Sequence, residues 1–152
     1  MTITIDPSIE ACQALVERIN SGSGYGIAFR DAEYLEEIID PLENVTSHVS
    51  VTVVPVDEEQ LNETLAVTDR TSHNIRIYIR TKLANIEPRA IDDLKLFTRQ
   101  VFDRCNDYDT ANNRVRVWEC DQDIKQKPDK DALRDRGVFL ASINLRVEVE
   151  AS

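Results

Sequence analysis

From Val138 to Val149 every second residue is apolar: Phe139, Ala141, Ile143, Leu145, Val147 and Val149 alternate with mostly polar neighbours. A strand points successive side chains to opposite faces, so a run of this kind spells a long β-strand with one buried face. Shorter runs repeat the pattern. Val49, Val51 and Val53 alternate with Ser50 and Thr52 until Pro55 ends the run; Ile75, Ile77 and Ile79 alternate with Arg76, Tyr78 and Arg80; Val115 and Val117 stand against Arg114, Arg116 and Trp118. Each strand therefore has a single apolar face, and the sheet they build has one side on a core and the other in water.

Two helices supply the other side of that core. Asp6 is a capping residue and Pro7 suits the first helical position; Ile9, Cys12, Val16 and Ile19 then recur at helical spacing to about Asn20. The run from Ser21 to Gly26 holds three of the four glycines and ends the helix in a flexible turn. Pro88 opens a second helix, with Leu94, Phe97, Val101 and Cys105 on one stripe and Ile91 and Phe102 at its margins. Asp92 and Asp93 are expected in its first turn, favouring the helix dipole. Between these elements the patterns are weaker. Ile27 to Phe29 suggests a short strand, and Leu35, Ile38 and Ile39 suggest a helical turn before Pro41. Residues 57–71 and 106–113 read as polar connections, and Asp121 to Arg136, densely charged and interrupted by Pro128, reads as an exposed mobile loop. The expectation is one α+β domain over residues 1–152, with an antiparallel or mixed sheet of about four to five strands and two main helices on one face.

Composition bounds the function. At 152 residues the chain can bury roughly 70% of its unfolded surface, and 41% hydrophobic with 30% charged residues is a globular balance. The net charge of −10 makes nucleic acid a poor tight ligand, because phosphates need cations; it suits a surface that DNA slides past. Cys12, Cys105 and Cys120 are odd in number and form no CxxC pair, so a disulfide framework is not expected and a reducing cytoplasm fits. The N-terminus lacks a signal-peptide pattern, and no stretch approaches the roughly 20 apolar residues of a membrane span.

Patterns of chemistry are absent where they would be sought. His48 and His73 stand at strand entrances and belong to no HxxxH or HExxH pair, so zinc has no evident site. Gly137 is the only glycine outside the early cluster, which excludes a GxSxG elbow and a P-loop. Gly22, Gly24 and Gly26 follow a helix instead of leading into one, which is the wrong order for a phosphate cradle. Glu33, Glu36, Glu37 and Asp40 lack the alternation and glycine turn of a calcium loop and read as a solvated acidic segment. No catalytic, cofactor-binding or metal-binding residue is expected. The polar side of the sheet is more informative. Arg76, Arg80, Arg114, Arg116 and Arg146 fall there with Tyr78 and Trp118. Cross-strand pairing with Glu119 and Glu148 explains them; so does an interface, where arginine is favoured.

The order of these runs resembles the tail-terminator, or tail-completion, proteins of long-tailed bacteriophages. His48–Pro55 looks like that family's strand ending in valine-proline, and Asn74–Leu83 like its second strand with a basic end. Ile91–Phe97 with Val101 and Phe102 looks like the helix that follows, and Val138–Val149 like the long last strand. The likeness runs from about residue 48 onward and rests on alternation and order. It implies a non-enzymatic subunit of the virion, assembled in the bacterial cytoplasm. Such a subunit forms a homo-hexameric ring on the last ring of tail-tube protein and meets the neck and head-closure proteins, while DNA passes the lumen without specific binding. Ring closure needs two different patches in contact. The candidates are Arg76, Tyr78, Arg80, Arg114, Arg116 and Trp118 on the sheet, and Lys125, Lys127, Asp129, Lys130 and Arg134 on the charged loop. Removing Lys125–Asp131 should then leave the fold intact and abolish ring or tube binding. A neck or head-closure connector of the same particle is the neighbouring alternative; a small-molecule-binding module or a small enzyme are alternatives of another class.

Overall fold

A computed structural model describes residues 6–56, 70–106, 108–110, 115–120 and 129–150. The first helix, α1 (Pro7–Asn20), starts where its cap dictates: the Asp6 carboxylate accepts hydrogen bonds from the Ser8 amide at 2.8 Å and the Ser8 hydroxyl at 2.6 Å. Its buried stripe is Ala11, Cys12, Leu15 and Ile19, with Ile9 and Val16 half-buried at the margin. The second helix, α2 (Pro88–Cys105), buries Leu94, Phe97, Thr98, Val101 and Cys105 as its periodicity requires. Asp92 and Asp93, the fifth and sixth residues from Pro88, lie beyond its first turn, which carries no acidic residue.

The strands are β1 (Glu33–Tyr34), β2 (Ser50–Pro55), β3 (Arg70–Lys82), β4 (Val115–Cys120) and β5 (Val138–Glu150). They form one mixed sheet in the order β1-β2-β3-β5-β4, parallel only between β1 and β2. β3 and β5 pair over their full lengths, from Arg70 opposite Glu150 to Lys82 opposite Val138. This register puts Ile75, Ile77 and Ile79 on the same face as Ile143, Leu145 and Val147. There they meet Leu15 and Ile19 of α1 and Phe97 and Val101 of α2 in one buried cluster. The α+β architecture, with α1 and α2 against the apolar face, is as the alternation requires.

Several local expectations change. β3 begins at Arg70, earlier than its visible alternation, so it matches β5 at 13 residues. His73 therefore lies inside a strand and is only 6% exposed, not at an entrance. Residues 27–29 form no strand. Phe29 instead packs its ring on Phe97 at 5.0 Å and on Tyr25 at 5.2 Å, and strand pairing comes later, at Glu33–Tyr34. Leu35 to Ile39 forms no helical turn, since the Leu35 amide donates to Val53 O in continuation of the parallel ladder. The largest change is in the charged run. Lys130–Arg136 is a helix, α3, capped by Asp129 at its start and by Gly137 in the left-handed region (φ 66°) at its end. An Asx cap, acidic Asp131 in the first turn and basic Arg134 and Arg136 in the last make a short helix favourable there. The rest of that run, residues 121–128, lies outside the described residues, as does most of the polar connection 57–71. Among the described residues no helix is long and apolar enough to cross a membrane.

Candidate functional site

The face of the sheet turned away from α1 and α2 is built from the even-numbered residues of β3 and β5. Arg76 stands opposite Asn144 and donates from Nε to Asn144 Oδ1 at 2.8 Å. Its other arm donates to the Tyr78 hydroxyl at 3.3 Å. One step along β5, Arg146 is exposed opposite Asn74 on one side and Glu119 on the other. Arg116 of β4 lies opposite Glu148 and pairs with Asp109 at 3.2 Å. Part of the arginine row is thus engaged on the sheet itself, Arg76 by Asn144 and Tyr78, and Arg116 by Asp109. A β-bulge between Val117 and Glu119 shifts the register of β4 at Trp118, so simple alternation does not continue to the end of that strand.

Arg80 is a correction. Although it alternates with Ile79, it is only 8% exposed. Residues 41–47 fold over it, and its guanidinium donates to Pro41 O at 3.2 Å and Glu43 O at 3.4 Å. Burial pushes its pKa below the usual arginine range, with Glu33 acting the other way. Arg80 Nε and the buried Thr52 hydroxyl have no hydrogen-bond partner among the described residues. Arg80 holds a strap of chain against the sheet and is not available to a partner.

The charged-loop candidates also change role. Asp129 spends its carboxylate on the amides of Asp131 and Ala132. Arg134 pairs within its own helix, with Asp131 at 2.9 Å and Asp135 at 3.3 Å. Lys130 is exposed at the start of α3. Removing Lys125–Asp131 would therefore take away the cap and first residues of α3, so the expectation that this cut spares the fold is withdrawn. Arg114, Lys125 and Lys127 lie outside the described residues, and Trp118 is placed only by its backbone in β4. Of the candidates, the structure brings Arg76, Tyr78 and Arg116 onto one face and sets Asp129, Lys130 and Arg134 apart on α3.

Reasoning from the sequence missed the strap as an element of the site. Residues 36–38 border a groove of about 590 Å³ with Tyr34, Val54, Arg76 and Tyr78. Its signal was present, as an acidic run that contains Ile38 and Ile39 yet no lysine or arginine. Elsewhere, the thiols of Cys12 and Cys105 are buried in the core, and burial pushes both pKa values up to about 12. Thiols held in that form are poor nucleophiles. Among the described residues no group of three His, Cys, Asp or Glu side chains is placed to hold a metal ion. No protein-family model matches the chain, and a search of curated proteins finds no match.

Proposed function

We propose that this chain is a structural subunit of a phage virion at the head–tail junction. In this reading it forms a ring, of six copies by the family resemblance, that caps the tail tube and offers a surface to the neck, and it is not a catalyst. One observation carries the reading: the segments that resemble tail-terminator proteins are neighbours in space. β2, β3 and β5 are adjacent strands, and the stripe of α2 is buried in the core against them. The resemblance therefore follows one continuous half of the fold. The charge supports it too. A net −10 disfavours phosphate contacts, as a lumen that must release DNA requires.

The test has two stages. Light scattering on a sizing column, with negative-stain images of the peak, should show a ring with a central hole, either free or on tubes. Purified tail tubes mixed with the protein should acquire a cap and stop lengthening. Tubes that keep growing with nothing bound at their ends would refute the assignment, and binding to the head connector with tubes unaffected would replace it by the head-closure role.

A further inference from the structure

Residues 36–47, the strap over Arg80, cover part of the sheet without being rooted in the core. From Leu35 to Val49 no residue is buried, and Ile39 is 90% exposed. The sheet residues beneath are better hidden than their cover: Thr52 is 0%, Val54 6% and Arg80 8% exposed. All three lie on the face turned away from α1 and α2, on the paired strands β2 and β3. Among the described residues, the strap is the segment that crosses this face. Its attachment is thin for a reason visible in the chain. At its start the parallel ladder of β1 ends with the Leu35 amide donating to Val53 O at 3.1 Å. The next donor in register would be residue 55, and Pro55 has no N–H, so the chain leaves the sheet. It returns at Thr46, whose carbonyl accepts from the Lys82 amide at 2.8 Å, and at Ser47, whose carbonyl accepts from the Thr81 hydroxyl at 3.3 Å. Between these ends, among the described residues, one nitrogen ties strap to sheet. Arg80 Nη1 donates to Pro41 O at 3.2 Å and Glu43 O at 3.4 Å, at and beyond the usual limit for such a bond.

We propose that the strap is a lid. Residues 36–45 swing off the sheet as a unit, on hinges at Leu35 and Thr46, while the rest of the fold stays intact, and the open state uncovers Thr52, Val54 and Arg80. Local openings range in free energy from near zero to the stability of the whole domain, and segments with few buried apolar contacts lie at the low end. Closure also gains little from the groups it hides. Arg80 Nε and the Thr52 hydroxyl have no protein partner among the described residues, so both lose hydration without a direct bond in exchange. The closed turn holds Asn44 at φ 58°, a left-handed conformation unfavourable for a residue with a Cβ and tolerated best by asparagine. Opening leaves the pairing of β2 with β3 in place and does not touch the buried cluster, which sits on the other face. The lid goes beyond the ring reading and does not depend on it.

Thiol labelling of the full chain carrying T52C tests this. The new thiol lies under the strap, whereas Cys12 and Cys105, both 0% exposed in the core, report opening of the whole fold in the same molecule. Peptide mapping by mass spectrometry separates the sites, and each rate is divided by that of the same thiol in the denatured chain. Circular dichroism checks folding, and V54C on the same face replaces T52C as the reporter if T52C does not fold. The thiol at position 52 should react at least about a hundredfold faster than Cys12 and Cys105, yet far more slowly than in the denatured chain. Adding R80A, which removes the tie, should quicken it by about tenfold. Adding N44A, which strains the closed turn and leaves the cover over position 52 in place, should quicken it by about fivefold. Both should move Cys12 and Cys105 less. A thiol at position 52 no faster than the core cysteines overturns the lid, because the strap then opens only with the fold. One as fast as in the denatured chain overturns it as well, because the strap then never closes. Rates that neither R80A nor N44A changes have the same meaning.

Discussion

Single residues show how far burial can override pattern. Arg80 and Arg76 stand four residues apart on the same face of β3, yet one is buried under the strap and the other borders a groove. The difference lies in what crosses above them, not in their strand. Arg80→Ala should therefore loosen the strap while the sheet holds: hydrogen exchange at the Glu43 amide, which donates to Asp40 O, should quicken and that of Ile77 should not. In the core, Phe97 is fully buried and holds Tyr25 and Phe29 against it at 5.7 and 5.0 Å. Phe97→Ala should cost about 3–5 kcal/mol, read from chemical denaturation. Gly22 is required by close approach. A Cβ there would lie 2.5 Å from the Tyr25 hydroxyl and 2.9 Å from Arg104 Nε. Those two groups are in use, since Tyr25 donates to Ile19 O and Arg104 Nε to Arg18 O, while Arg18 Nε returns a bond to Arg104 O. This reciprocal pair ties the C-terminal ends of α1 and α2 together.

At the scale of elements, the helix ends are where chemistry and stability meet. Serine donors at the α1 cap hold the Asp6 carboxyl below its ordinary pKa. A depressed carboxylate contributes stability above its unfolded pKa, near 4, and loses it as pH falls through the lower folded value. Asp6→Ala should thus cost about 1 kcal/mol at neutral pH and flatten the acid limb of the stability curve measured by denaturation between neutral and strongly acidic pH. Gly137 closes α3 at φ 66°, and a Cβ there would stand 3.3 Å from Leu83 O. Gly137→Ala should destabilise the protein by about 1 kcal/mol, and the Leu83 amide, which donates to Gly137 O, should lose exchange protection. The helix α3 was hidden in the sequence because its seven residues bury only Ala132. With no apolar stripe, only its caps could have announced it.

For the whole molecule, stability should respond little to salt. The fold rests on the buried cluster of sheet and helices, and salt screens exposed charge. Raising salt should therefore leave the thermal midpoint little changed. The alternation of residues 138–149 and 75–80 and the stripe of α2 sufficed, as sequence, to determine the long strands, the face they bury and the helices laid on it, because local periodicity and one-sided burial are the same fact. The position of β1, the burial of Arg80 and His73 and the bulge at Trp118 came only from tertiary structure. Each depends on which distant segment lies across a given strand, and a contact between residues far apart in the chain leaves no period in the sequence around either of them.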